Sequence, residues 1–370
     1  GICHLRHEDF GEGGSSLKAM NLQDRLKLGT STEVSSLKAV PTLVTGATGK
    51  VGCHLVTALL ERGADVALLT RDPKSARSLW RGQRLDIHSA DLTDPSTLVG
   101  RLDGIELVLH LASYSPPPQA PNLYQAASHW PVTAEGTRNL VDAALAAGIR
   151  RFVYLSSVKV MGAAIGKGPV DEATPPAPDT LYGRAKLAAE RSVLTAGEAG
   201  MQVCVLRSPM IYGLTGTGNI ARMIDAVARN RFPPWPKIHN RRSSLHVQDL
   251  IAAALLAATH PRAWGCTYLV TDGKGYSTRW LYERIRLALG KPVPGWAVPY
   301  WVLATAACGA TWLETGFHRR MPFNHEALRK LTEDAWFSSD RIRTELGFTP
   351  RHNLAEEIPR MVKEYLDGTR

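Results

Sequence analysis

The stretch TLVTGATGKVG, Thr42 to Gly52, leaves few folds open to this chain. A short apolar run at 42–45 leads into three glycines spaced G-x-x-G-x-x-G (Gly46, Gly49, Gly52), and an apolar-periodic run, KVGCHLVTALLERG, follows at once. That order is strand, tight turn, helix. In such a turn the first glycine permits the bend, the second lets backbone approach a pyrophosphate, and the third lets the helix pack close on the strand. The helix start then offers unpaired N–H groups and the positive end of its dipole to phosphate oxygens. Gly46, Thr48, Gly49, Lys50, Val51 and Gly52 are therefore expected to hold a dinucleotide. A glycine triplet alone is a weak signal, and the plain alternative is an ordinary turn; the strand–turn–helix context favours the cradle.

Past residue 40, short apolar runs alternate with helical ones. Strands are expected at 42–45, 65–70, 84–89, 105–111, 151–156 and 201–206, with helices such as 50–62, 134–147 and 180–196 between them. This pattern marks a parallel sheet covered on both faces. The expected fold is α/β, a doubly wound Rossmann domain over 40–208, with 209–370 as a smaller, mostly helical substrate-binding cap. In that second part the sequence suggests a helix and then a proline-rich loop within 218–240, helices near 247–259 and 277–289, and a final amphipathic helix from Ala355 to Leu366. One or two segments near 245–270, including a strand at about 267–270, are expected to return to the sheet. Residues 1–39, with GEGGSS at their centre, read as a flexible polar extension.

The five cysteines are scattered and include no C-x-x-C pair. A disulfide framework and a structural zinc site are thereby disfavoured, no metal is expected, and a reducing, cytoplasmic setting fits. The net charge of +10 suits anionic company such as nucleotide phosphates or acidic lipid. No Lys/Arg run exceeds two residues, which argues against a nucleic-acid partner. From Pro292 to Leu313 the chain carries no charge over 22 residues. Pro294, Gly295 and Pro299 interrupt its first third, so a helix lining the substrate cavity is the first expectation, peripheral membrane contact the second and a true span the third.

The second strand ends LLTRDP, with Thr70 where an NAD site would place a carboxylate for the ribose 2′-OH. Arg71 follows, and a guanidinium suits a 2′-phosphate. NADP(H) is favoured over NAD(H), with Asp72 alongside keeping NAD(H) open. Asp91, with Leu92 beside it, ends the third strand, where a carboxylate serves either the adenine amino group or a local turn. Leu111 and Ala112 end the fourth strand among small residues, as a strand flanking a cofactor should.

TLYGRAK places Tyr182 and Lys186 four apart on one face of a helix. An ammonium beside a phenol is expected to lower its pKa, fitting the phenol to exchange a proton with an alcohol or ketone while hydride moves at a nicotinamide. Ser157, with Ser156 as its neighbour, lies at the end of the fifth strand and is expected to bond the reacting oxygen.

The segments TGATGKVG, HLAS, LSSVKVMG, YGRAK, LRSPMIYG and SSLHVQDL, in this order, resemble the extended short-chain dehydrogenase/reductase family over roughly residues 40–368. The look is nearest to the dihydroflavonol reductase and 3β-hydroxysteroid dehydrogenase branch. The resemblance implies a catalytic set of Ser157, Tyr182 and Lys186, passage of Pro209 beside the nicotinamide, and a homodimer through the helices flanking strand five. Three departures stand out: Thr133 replaces the asparagine usual before strand five, Met161 replaces a tyrosine common after the serine, and Val158 and Lys159 replace the Asp-Glu pair of sugar-nucleotide dehydratases.

Three functions then compete. The first is an NADP(H)-linked oxidoreductase acting on an alcohol or ketone of an apolar substrate, with Met161 and Tyr212 near that substrate, Trp235 in support and the loop 113–121 as a lid. The second is a sugar-nucleotide epimerase, which Arg242 would serve by holding a diphosphate. The third is a non-catalytic NADP(H)-binding sensor or scaffold, which the intact Tyr182 and Lys186 disfavour.

Overall fold

A computed structural model describes residues 37–38, 40–117, 123–162, 168–214, 218–317 and 323–368. Seven apolar runs become parallel strands of one sheet: β1 (Thr42–Thr45), β2 (Val66–Thr70), β3 (Asp86–Ser89), β4 (Leu107–His110), β5 (Arg151–Ser157), β6 (Gln202–Ser208) and, beyond two short strands described below, β9 (Cys266–Leu269). Their order across the sheet is β3-β2-β1-β4-β5-β6-β9. Strand order reverses between β1 and β4, where Thr45 pairs with His110. In doubly wound sheets that crevice, at the carboxyl ends of the strands, is where ligands sit.

Successive strand residues face opposite sides of the sheet. Val44 and Leu109 meet Leu55, Val56 and Leu59 of α1 (Lys50–Glu61), together with Ile251 and Ala254 of a helix described below as α6. Leu43 and Val108 meet the other side, where Leu140 of α3 (Gly136–Ala146) and Ala189 and Val193 of α4 (Leu181–Glu198) cover them. A short α2 (Pro73–Leu79) joins β2 to β3.

After β6 come the paired strands β7 (Met210–Tyr212) and β8 (Ser244–His246), too short to announce themselves by periodicity. Six further helices follow β7: α5 (Asn219–Ala228), α6 (Val247–Thr259), α7 (Thr278–Ala288), α8 (Tyr300–Phe317), α9 (His325–Thr332), α10 (Asp340–Leu346), and then the terminal α11 (Leu354–Gly368) makes a seventh. The α6 and α10 helices pack on the sheet, while α5, α7, α8, α9 and α11 enclose their own core around Trp235, Tyr282 and Ile358.

Two expectations change. Residues 1–36 and 39 lie outside the described residues, but Leu37 and Val40, at the edge of the expected extension, are buried in the core on the α1 side. The uncharged stretch forms a helix with only one face in the cap core. Pro299 precedes α8, a position that needs no N–H, and among the described side chains of α8 only Leu303 and Ala307 are fully buried, whereas Trp301, Thr305, Cys308 and Trp312 are exposed. Among the described residues no helix is long and apolar enough to cross a membrane.

Candidate active site

The glycine turn fits a dinucleotide on steric and electrostatic grounds. Gly46 has φ +69°, and a Cβ there would stand 2.7 Å from the Ala112 nitrogen. A Cβ on Gly52 would stand 2.1 Å from the Gly46 carbonyl oxygen, so α1 packs as close as it does only with glycine there. Gly49 caps α1 without any side-chain hydrogen bond, and the first turn holds no acidic residue. Thr48, Gly49 and Lys50 are exposed. A helix end with free donors and no competing carboxylate suits a diphosphate. The opposite wall is pinned by a buried relay. Thr45 Oγ1 lies 2.6 Å from His110 Nδ1, His110 Nε2 lies 2.9 Å from Thr137 Oγ1, and the Ala112 N–H donates to Thr45 Oγ1 at 3.2 Å. Burial, helped by the Lys186 charge, pushes the His110 pKa down to about 3, so the relay is neutral. Leu111 and Ala112 are thereby held against Gly46.

At the ends of β2 and β3 the acidic groups are engaged locally. The Asp72 carboxylate caps α2, accepting from the Ser75 N–H at 3.1 Å and the Ser75 hydroxyl at 2.7 Å. Arg71 is exposed. Asp91 Oδ1 accepts from the Thr93 N–H and hydroxyl at 2.9 and 2.8 Å, and these bonds, with the Arg71 charge, hold its carboxyl below the usual range. Asp94, not Asp91, caps the following turn, through the Ser96 N–H at 3.0 Å. Leu92 is buried on the α3 side of the sheet, its carbonyl accepting from Asn139.

Ser157 closes β5, and Thr180 caps α4 by accepting from the Gly183 N–H at 3.1 Å, which starts the helix so that Tyr182 and Lys186 stand one turn apart. The Ser157 hydroxyl accepts from the Lys159 N–H at 3.3 Å and lies close enough to the Tyr182 phenol to pull its pKa down. Adjacent serines on a strand point to opposite sides. Ser156 accordingly turns inward, donating to Glu190 Oε1 at 2.5 Å, so it is Ser157 that reaches Tyr182. Pro209 separates β6 from β7.

The expected lowering of the phenol pKa does not appear. Burial pushes Tyr182 up to about 12, against a smaller downward pull from Ser157. Lys186 is itself pushed down to about 7 by burial, with Glu190 opposing. Its ammonium donates to the Leu155 carbonyl at 2.8 Å and lies 4.7 Å from the centre of the Tyr154 ring. Removal from water disfavours both charges, and the contacts of Lys186 are with a carbonyl and a ring rather than with the phenol oxygen.

Several residues of the site were not read from the sequence. Glu190 is buried, four residues beyond Lys186, and pairs with buried Arg207 of β6 (Nε to Oε1 3.0 Å, Nη2 to Oε2 2.7 Å). The available signal was a glutamate set into the apolar series Ala185, Ala189, Val193. Met161 does not form an open apolar wall; it is buried, and its sulfur accepts from Arg207 Nη1 at 3.0 Å. Tyr212 is buried in the cap core with its ring 5.2 Å from that of His246. Beside Tyr182 stand His129 (rings 5.1 Å apart) and Tyr124 (rings 5.6 Å apart), and Tyr124 also accepts the Tyr182 N–H through its carbonyl at 2.9 Å. The Tyr124 ring carries Lys159 at 5.3 Å and Lys330 at 4.4 Å. Arg242 donates to the Glu333 carbonyl at 3.0 Å, and its charge reaches Tyr124. Thr133 bonds the Ser113 hydroxyl at 3.0 Å and the Tyr114 N–H at 3.1 Å, fastening the start of the expected lid loop, whose residues 118–121 lie outside the described residues.

The model of the NAD dependent epimerase/dehydratase family matches residues 42–270. The chain belongs to that family. Within it, the chain is an oxidoreductase-type enzyme of the extended short-chain dehydrogenase/reductase group. It is 29% identical over 339 residues to a 3-beta-hydroxysteroid dehydrogenase of Mycolicibacterium neoaurum, covering 88% of this chain and 91% of that one. It is 28% identical over 264 residues to a UDP-glucose 4-epimerase of Vibrio cholerae, covering 70% and 79%. The solved structure of MoeE5 in complex with UDP-glucose and NAD is similar at a TM-score of 0.68 and 25% identity, over 89% of this chain and 99% of that one.

Proposed function

We propose that this enzyme interconverts a secondary alcohol and a ketone on an apolar substrate, with NADP(H) as the hydride carrier. The observation that carries the reading is the convergence of Ser157, at the end of β5, on the Tyr182 phenol, with Lys186 one turn further along the same helix face. Gly46, Gly49 and Gly52 with the start of α1 would hold the diphosphate, and Arg71 the 2′-phosphate, since Asp72 is occupied in capping α2. When bound, the nicotinamide gives or takes the hydride. Ser157 donates to the substrate oxygen, and Tyr182 Oη passes a proton to that oxygen as the ketone is reduced, or takes it back as the alcohol is oxidised. Lys186, as the nearby ammonium, supports the phenolate left when the proton has gone. Kinship with the Mycolicibacterium 3-beta-hydroxysteroid dehydrogenase supports an apolar ring ketone as substrate.

A second reading, sugar-nucleotide epimerisation, draws on the cations Lys159, Lys330 and Arg242 around Tyr124 and on kinship with the Vibrio epimerase. One assay separates the two. With NADPH and a panel of steroid-like ring ketones, loss of nicotinamide absorbance is expected. Conversion of UDP-glucose to its 4-epimer with no net cofactor turnover, and no ketone reduced, would replace the first reading by the second.

A further inference from the structure

The cap leaves one face of α8 outside its own packing. Leu303 and Ala307, one turn apart, are buried against the cap core. Trp301, Thr305, Cys308 and Trp312 follow at intervals of four, three and four residues and share an exposed stripe. Trp296 and Tyr300 are exposed as well, at the helix entry. Trp296, Trp301 and Trp312 are 63%, 67% and 75% exposed, and no charge interrupts the chain from Pro292 to Leu313. Contiguous exposed apolar surface of this kind marks a place of contact.

The chemistry of the stripe selects the occupant. Its large side chains are Trp and Tyr, flat rings with one polar edge that settle at the boundary between hydrocarbon and water. Its surroundings are cationic. Among the described residues, Arg284, Arg286 and Lys291 lead into the stripe, whereas Arg329 and Lys330 beyond it are paired with Glu333 and Glu326. Arg286 and Lys291, on the approach to α8, donate to the Pro292 carbonyl at 2.7 Å and the Val227 carbonyl at 3.4 Å, and among the described residues neither has a carboxylate partner. A second copy of the chain would bring the same positive charge to this face, whereas an anionic surface complements it.

We propose that the Trp301 and Trp312 face of α8, with Trp296 and Tyr300 at its entry, seats this enzyme on an anionic lipid surface, the helix lying along the interface with its rings at headgroup depth. The placement also concerns the active site. The His325 N–H of α9 donates to Thr311 Oγ1 of α8 at 3.1 Å, and Lys330 of α9 reaches the ring of Tyr124, the neighbour of Tyr182. The docked face therefore lies one helix away from the phenol, and a substrate dissolved in the bilayer would have a short path to it. That route rests on the apolar-substrate reading; the docking does not.

The test uses the full chain without cofactor or substrate, sedimented with vesicles of phosphatidylcholine alone or mixed with phosphatidylglycerol. Binding to the mixed vesicles is expected, weakening as salt is raised. Trp301→Ser should lower partitioning ~tenfold, and Trp296→Ser combined with Trp301→Ser ~hundredfold, with an unchanged melting temperature because both indoles are exposed. Three results would overturn the proposal: wild-type chain left in the supernatant with mixed vesicles, binding that the Trp variants retain, or a dimer in sedimentation equilibrium that Trp301→Ser dissolves. Docking and ketone reduction are read separately, so either can fail while the other stands.

Discussion

Beneath Tyr182, Glu190 receives Nε and Nη2 of Arg207 and the Ser156 hydroxyl, and Arg207 Nη1 ends on the Met161 sulfur. In the cap core the hydroxyls of Tyr212 and Tyr282 and the indole N–H of Trp235 are buried with no hydrogen-bond partner among the described residues, and in the sheet half His129 Nδ1 and the Tyr154 hydroxyl are left the same way, so the contrast holds for the Glu190–Arg207 floor and not for every buried group. The two halves bury polarity under different constraints. Ser156 and Arg207 are direct register partners on β5 and β6, so the pleat fixes their positions and a carboxylate can be matched to them atom by atom. Helix packing around Tyr282 follows shape instead, with the Phe232 ring stacked at 5.8 Å and Trp235 tilted against Phe232 at 5.1 Å. Directional bonds thus lie beneath Tyr182 and Lys186, and non-directional contacts hold the cap.

That contrast breaks most visibly at Tyr182. Tyr182→Phe keeps the ring contacts with Tyr124 and His129 but removes the one hydroxyl that meets Ser157. Ketone-reducing kcat/KM should fall ~10³-fold, with cofactor binding by fluorescence titration little changed. Full turnover in the variant would remove Tyr182 from the chemistry. One layer down, Glu190→Ala strands a buried guanidinium and a serine hydroxyl, a loss of about 3–5 kcal/mol in urea unfolding. A cost under ~1 kcal/mol would mean that the floor is no better bonded than the cap.

The nucleotide end extends the same contrast, since Asp72 is tied to Ser75 while Arg71 remains exposed. Arg71→Asp should shift kcat/KM from NADPH toward NADH by ~10–100-fold, the worth of one charge-assisted contact turned into a repulsion. Unchanged preference would return the cofactor to NAD(H).

How much of this was legible follows the same division. The strands and the glycine turn are legible because a short apolar run buried on both sides and the needs of Gly46 and Gly52 are local. Tyr182 and Lys186 were readable as one helix face, and Ser157 as the end of a strand. Glu190 continues that face but is not legible in the sequence, because its meaning depends on Arg207, which only the β5–β6 register supplies. The direction of the Tyr182 pKa was misjudged for a related reason: spacing brings an ammonium near a phenol, but burial acts on both. In the cap, β7 and β8 are three residues each, and the outward turn of α8 depends on which helices pack behind it.

Lys186 offers a smaller, pH-resolved probe of the sheet half. Its pKa stands at about 7 in the folded chain against an ordinary 10.5. Below pH 7 both states hold the proton and the full cost of the buried ammonium is present. Between the two values the unfolded chain holds a proton that the folded chain has released, so stability rises with pH across that window. The contribution is at most ~1.4 kcal/mol per pH unit. Urea unfolding of the wild type minus that of Lys186→Met should therefore climb from pH 7 to 9, and a flat difference would mean that Lys186 is hydrated.

The smallest expected effect lies in the cap and is the sharpest check on the comparison. Tyr282 is fully buried, its ring contacts Phe232, and the guanidiniums of Arg279 and Arg286 lie 5.7 and 5.8 Å from its centre. All of these contacts are made by the ring, which phenylalanine retains. The hydroxyl has surrendered its bonds to water without gaining one in the fold, a state that costs about 1–3 kcal/mol. Tyr282→Phe should therefore leave the urea midpoint unchanged or raise it, by an amount worth no more than ~1 kcal/mol. A loss of stability as large as that would show that the hydroxyl is bonded after all, and the cap core would then be matched as closely as the Glu190–Arg207 floor.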